Sequence, residues 1–191
     1  VDEYRGIILG GSGEFYLAQG DDQKDWLQQT YNLLDKAFDN SVHVLGICLG
    51  AQIIALHQGS NITDDTKYHE TGSYQISLSD NADKCDIFSD LDKEFHAPLC
   101  HEDTPINIPE NLTNLASSEK VNCQAYKIEN KPAWGVLIHP ELNRERLKYR
   151  FKLYPNYIDN DKEVLDEKIS DFNKDRRSSR VLHKFYDIIP V

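Results

Sequence analysis

Of the four cysteines in the chain, Cys48 stands in a setting that chemistry could use. Residues 43–52 read His-Val-Leu-Gly-Ile-Cys-Leu-Gly-Ala-Gln, with the thiol between two glycines as G-x-C-x-G. This is the thiol form of the nucleophile elbow, a sharp strand-to-helix turn that holds a reactive side chain proud of a sheet. Glycine suits positions 46 and 50 because a Cβ there would collide with neighbouring backbone. Cys48 would open the following helix, whose partial positive charge favours thiolate over thiol. The backbone N–H of Leu49 would point at the same spot and supply one oxyanion donor. Standing alone, the motif also fits a small buried cysteine in an ordinary strand-turn-helix.

A base and its orienter are found further on, in Trp134-Gly-Val-Leu-Ile-His139-Pro140-Glu141. An apolar strand delivers His139, Pro140 disfavours helix at that residue, and positions i and i+2 of an extended chain project to the same side. Glu141 can therefore accept from one ring nitrogen of His139 and turn the other toward sulfur. Read blindly, H-P-E is only a strand ending in a turn. The loop Gly10-Gly11-Ser12-Gly13 closes the first apolar run, but it has neither G-x-G-x-x-G spacing nor G-K-[ST], which argues against a nucleotide site. Gln52 lies one helical turn after Cys48, on the same helix face.

G-I-C-L-G-A-Q at 46–52 and G-V-L-I-H-P-E at 135–141 together resemble the nucleophile and base motifs of class I glutamine amidotransferases, a group that includes γ-glutamyl peptidases and hydrolases. Leu137 and Ile138 stand where the family usually has Gln and Phe, which bears on substrate fit more than on catalysis. The resemblance implies a catalytic triad of Cys48, His139 and Glu141, with the N–H of Gly11 as a second oxyanion donor beside Leu49. It implies that Gln52 helps hold the substrate glutamine. His101-Glu102-Asp103 looks like the H-x-D segment on the substrate side in stand-alone members, with plain loop structure as the other reading. The implied reaction is attack of Cys48 on a γ-glutamyl amide through a thioester, with no metal or cofactor. Ammonia would pass to a separate synthetase partner. A stand-alone γ-glutamyl peptidase or hydrolase is the second reading, and a non-catalytic binding module the third, which the intact triad residues disfavour.

The elements that must position these residues are legible in outline. Strand 5–9, helix 23–40, strand 41–47 and helix 49–57 alternate as in a parallel sheet covered on both faces, where sites form at the carboxyl ends of strands. Strands are expected at 74–78, 97–100, 112–116, 124–128 and 134–138, and helices at 143–149 and 162–186, joined by a surface connection over 154–161. The expected fold is α/β, a flavodoxin-like doubly wound, mostly parallel sheet in a single domain over 1–191. Family members carry a further strand, helix and strand before the first glycine loop. The chain has no Met and begins at Val1, which points to a native start upstream.

Composition narrows the partners. A formal charge of −11 and a pI near 5.0 would repel nucleic acid and anionic lipid. The basic cluster Lys174, Arg176, Arg177 and Arg180 is interleaved with acids and reads as a solvated helix face. Without C-x-x-C pairs or zinc-ligand spacing, the cysteines suggest a reducing, cytoplasmic setting, and no run reaches the roughly 20 apolar residues of a membrane span. The N-x-T triplets at Asn61 and Asn111 weigh weakly against it. His43, His57, His69, His96 and His183 read as structural or surface residues.

Overall fold

The start of the chain folds as its hydrophobic pattern dictates. In the computed structural model, which describes residues 4–21, 24–155 and 177–190 together with 163, 166 and 168, β1 (Gly6–Leu9) is followed by α1 (Asp25–Asp39). The face of α1 bearing Leu27, Leu34, Ala37 and Phe38 is buried. β2 (His43–Ile47) runs directly into α2 (Leu49–His57), in which every side chain from Leu49 to Ala55 is buried. Next come β3 (Asn61–Thr63), β4 (Glu70–Leu78), β5 (Glu94–His101), β6 (Thr104–Ile106), β7 (Leu112–Ser117), β8 (Ala125–Ile128) and β9 (Ala133–Val136). Two helices complete the described chain, α3 (Arg144–Leu153) and α4 (Arg180–Ile188).

Seven strands make one sheet in the order β1-β2-β9-β8-β7-β4-β5. The α/β architecture expected from the sequence is present, and parallel pairing joins β1, β2 and β9, the strands that carry the motifs. The remaining neighbours are antiparallel. The reason is connection length: β1 reaches β2 through a helical crossover, whereas the short turns joining β7, β8 and β9 allow only antiparallel neighbours. Helices cover both faces. α2 packs over β2 and β9, with the Tyr126 hydroxyl donating to the Ala51 carbonyl. On the opposite face the Phe185 ring of α4 meets Trp134 edge-on at 6.1 Å, and Ile189 lies against Gly6.

The two-stranded ribbon of β3 and β6 was not expected, because segments of three residues are too short to show a period. Twelve of the 25 residues of the expected helix 162–186 lie outside the described residues, as do Lys174, Arg176 and most of the connection expected over 154–161. The two basic residues of that cluster that are described are engaged locally: Arg177 pairs with Asp92, and Arg180 donates to the Asp90 carbonyl at 3.1 Å. They tie α4 to an acidic loop.

Candidate active site

β2 ends at Ile47 and α2 begins at Leu49, so Cys48 must turn the chain alone. It does so with φ 50° and ψ −108°, in the left-handed region that a side chain disfavours at a cost of about 1–3 kcal/mol. Two hydrogen bonds hold the turn. The Cys48 N–H donates to the Val136 carbonyl at the end of β9 (2.8 Å), and its own carbonyl accepts from Gln52 N–H (3.0 Å). The flanking glycines are sterically required: a Cβ at Gly46 would lie 2.6 Å from the Gly50 carbonyl, and one at Gly50 would lie 2.1 Å from the Leu9 oxygen.

The strand expected to deliver His139 stops earlier than its apolar pattern suggests. β9 ends at Val136, and the chain bends so that Leu137 N–H donates to Gln124 O (2.8 Å) and His139 N–H to Pro98 O (2.9 Å). His139 is fully buried. Its Nδ1 lies 2.6 Å from Glu141 Oε1, which fixes the ring orientation and turns the buried Nε2 toward the Cys48 sulfur. Gly11 closes the space between the two: a Cβ there would sit 3.0 Å from His139 Cε1 and 3.2 Å from Cys48 Cβ. Leu49 opens α2, so its N–H is one of the helix-terminal donors without an intrahelical acceptor. Gly11, Cys48, Leu49, His139 and Glu141 are thus gathered at the carboxyl ends of β1, β2 and β9.

The electrostatics follow from this packing. Burial alone would drive His139 toward its neutral form, but the Cys48 sulfur and the Glu141 carboxylate outweigh it and raise the imidazole to about 9. Burial likewise would raise the Glu141 carboxyl, yet hydrogen bonding and charge from His139, with Arg150 behind, hold it below the usual range. The Arg150 guanidinium lies over the Tyr154 ring at 5.6 Å, and that ring covers Gly13 of the glycine loop. Because the folded His139 value lies above its unfolded value of 6.5, protonated His139 stabilises the fold fully below about pH 6.5, and this contribution is lost as pH rises through about 9. Melting temperature is expected to fall over that window in the wild type and to fall at lower pH in Cys48→Ser, which removes the sulfur that raises His139. Coincident melting profiles for the two proteins would contradict the pairing.

A second wall faces the sulfur. The Cys100 carbonyl oxygen at the end of β5 is 3.8 Å from Cys48 Sγ. Gln52, 3% exposed, does lie beside Cys48, and its amide donates to the Asp103 carbonyl at 2.7 Å. Asp103 is also buried: Oδ2 accepts from Ala18 N–H at 3.2 Å, whereas Oδ1 has no hydrogen-bond partner, and burial pushes the carboxyl above its ordinary range. His101 is placed differently from a residue lining a substrate. Both of its ring nitrogens point into the sheet, Nε2 to Glu70 at 3.2 Å and Nδ1 to the Thr104 hydroxyl at 3.4 Å. Arg150 and Glu70 were not singled out in the sequence as site residues. Asp103 carried a signal as the last member of H-x-D, whereas the other two are brought in by strands and a helix distant in the chain.

The remaining histidines that carry described contacts lie elsewhere. His57 meets Asp35 at 3.0 Å, a partner contributed by α1 that sequence spacing did not reveal, and His69 and His183 contact backbone carbonyls. Among the described residues, no group of three His, Cys, Asp or Glu side chains could hold a metal ion, and no helix is long and apolar enough to cross a membrane. All four cysteines are free and buried.

A parallel-strand elbow thiol facing a carboxylate-oriented imidazole defines a class of cysteine hydrolase-like sites, and comparison with known proteins supplies the family. The chain belongs to the family "Glutamine amidotransferase class-I", whose pattern matches residues 2–152. It is 35% identical over 141 residues to the glutamine-hydrolyzing GMP synthase subunit of Methanococcus aeolicus, covering 74% of this chain and 66% of that one. It is 32% identical over 149 residues to γ-glutamyl peptidase 5 of Arabidopsis thaliana, covering 77% of this chain and 57% of that one. The chain thus spans just under two thirds of the first relative and less of the second. The crystal structure of a glutamine amidotransferase from Thermotoga maritima superposes with a TM-score of 0.83 over 99% of this chain and 79% of that one, at 20% identity, a likeness of fold.

Proposed function

We propose that the chain hydrolyses the side-chain amide of glutamine, as the glutaminase half of an amidotransferase. The observation that carries this is the junction of the strained Cys48 elbow with His139, whose Nδ1 is held at 2.6 Å by Glu141 and whose Nε2 faces the sulfur. Cys48 thiolate attacks the amide carbon, forming a C–S bond. The C–N bond then breaks as His139 gives its proton to departing ammonia. Water next attacks the γ-glutamyl thioester, His139 takes the water proton, and the sulfur leaves with the C–S electron pair. The N–H groups of Gly11 and Leu49 receive the oxyanion in both tetrahedral intermediates, where one such donor is commonly worth about 2.7–4 kcal/mol. No step calls for a cofactor. A reducing, cytoplasmic setting keeps the Cys48 sulfur unoxidised.

The unpartnered Oδ1 of Asp103, on the wall that Gln52 braces, suits the α-ammonium of a γ-glutamyl group. Asp103→Asn is expected to lower kcat/KM by about 2–5 kcal/mol of lost charge pairing, roughly 30-fold or more, chiefly through KM. Unchanged kinetics in that variant would remove Asp103 from substrate binding.

Any γ-glutamyl donor fits this chemistry, and relatives named as glutamine-hydrolyzing GMP synthase subunits and as γ-glutamyl peptidases match at similar identity. A stand-alone γ-glutamyl peptidase or hydrolase is therefore the second reading. The leaving group separates them: glutamate release is measured from glutamine and from a panel of γ-glutamyl dipeptides. Faster release from glutamine supports the amidotransferase reading, with ammonia delivered to a separate synthetase partner. Release from dipeptides alone moves the chain to the peptidase reading, and labelling of no residue by a glutamine-analogue chloroketone would favour the non-catalytic module.

A further inference from the structure

Beneath the wall at 100–103 lies a polar cluster that the proposed chemistry does not use. Glu70, at the start of β4, is fully buried, as is the His101 side chain. Glu70 Oε1 accepts from the Ser118 hydroxyl at 2.7 Å, and Oε2 accepts from the Gln124 amide and from His101 Nε2 at 3.2 Å. Three side chains thus converge on the Glu70 carboxyl group. His101 Nδ1 lies 3.4 Å from the Thr104 hydroxyl, so both ring nitrogens have a polar partner. Four segments of the chain, at 70, 101–104, 118 and 124, are joined in one network, buried at Glu70, His101, Thr104 and Gln124 and part-buried at Ser118.

Burying such a cluster gives little or no net stability compared with apolar side chains of the same volume, so stability alone is a weak reason for it to be there. What it offers is position. The network grips residue 101, one residue after the carbonyl that lies 3.8 Å from Cys48 Sγ and two residues before the one that accepts from Gln52 at 2.7 Å. The same short segment presents the Asp103 carboxylate.

We propose that the buried Glu70–His101 pair is a positioning device for the γ-glutamyl donor, setting the 100–103 wall at a fixed distance from Cys48 without either side chain touching substrate. The proposal rests on the hydrolase reading above. It places His101 in binding through the main chain it anchors, not through its imidazole, and it assigns Glu70, Ser118 and Gln124 a share in substrate affinity.

The test compares Glu70→Gln and Ser118→Ala with wild type, each assayed well below its own melting temperature. A neutral amide at position 70 cannot accept from all three donors, so the wall should shift, and KM for the best γ-glutamyl donor should rise roughly 10- to 100-fold, the size of effect seen when an orienting partner is removed. Iodoacetamide, which needs no wall, should alkylate Cys48 at a rate within about twofold of wild type, since the triad is untouched. Ser118→Ala keeps the charge and removes one donor, so a smaller KM rise in the same direction is expected, and this variant decides the matter if Glu70→Gln does not fold. Wild-type KM in folded Glu70→Gln, or in Ser118→Ala where only that variant folds, overturns the proposal, as does a parallel loss of alkylation. If wild type itself releases glutamate from no donor, the hydrolase reading fails instead. Crystallography then judges the wall: loss of the Cys48–Cys100 and Gln52–Asp103 contacts in the variant supports the positioning role, and their retention overturns it.

Discussion

Cys48→Ala is expected to release no measurable glutamate from any donor that the wild type cleaves, a fall in kcat of at least about 10⁴-fold, in line with loss of the nucleophile from other acyl-transfer triads. In the proposed reaction the thiol is irreplaceable because the path runs through a thioester: without sulfur, His139 and the proposed oxyanion donors would polarise the amide but could not cleave it in two steps. The loss will not come from unfolding. Alanine at position 48 inherits the same backbone strain, since φ 50° disfavours any L side chain, and it loses only the sulfur and its pairing with His139. The variant should therefore keep the wild-type circular dichroism spectrum and melt at a somewhat lower temperature. Donor turnover followed by ammonia and glutamate assays, with intact-mass detection of the γ-glutamyl adduct in wild type, checks both halves. Comparable turnover in the two proteins would remove the thiol from the chemistry.

Gly50→Ala is expected to be damaging by a different route. Its Cβ would lie 2.1 Å from the Leu9 oxygen and 2.7 Å from Leu9 Cβ, distances that neither atom can tolerate. Leu9 is the last residue of β1, paired with Gly46 of β2, so it cannot move without breaking the parallel ladder. The strand and the start of α2 must separate instead, and the glycine loop that presses Gly11 against Cys48 and His139 moves with β1. Overpacking of this kind typically costs about 1–3 kcal/mol and occasionally more, and a displacement near 1 Å at a reacting centre can cost about 10²-fold in rate. A soluble but destabilised protein with kcat reduced by roughly that factor is the expected outcome. Gly10→Ala is the control: a Cβ there meets nothing within 4 Å, so melting temperature and turnover should stay close to wild type. Equal behaviour of the two variants would show that the elbow does not depend on this close approach.

Much of the site could be read from consecutive residues. The elbow is local: strand, glycine, thiol, glycine and helix within ten positions specify a turn whose steric demands involve few other residues. His139 and Glu141 are two residues apart, and their 2.6 Å contact needed only a chain that bends after them or before them. The exact end of β9 was not legible, since apolar Leu137 and Ile138 continue the strand pattern and it is the hydrogen bonds to Gln124 and Pro98 that stop it. Nor was the extent of the antiparallel half of the sheet, which includes the non-consecutive pair β4 and β7.

The sequence by itself singled out Cys48, His139 and Glu141 as the proposed nucleophile, base and orienter, and the glycines that let them meet, because backbone geometry over a few residues encodes this arrangement. Only the tertiary structure decided where the buried polar groups find partners. His101 meets Glu70 across 31 residues, Gln52 meets Asp103 across 51, and Gln124 meets Glu70 across 54. A buried donor or acceptor must be satisfied, but strand register and helix packing choose by what, and those depend on the whole sheet closing at once.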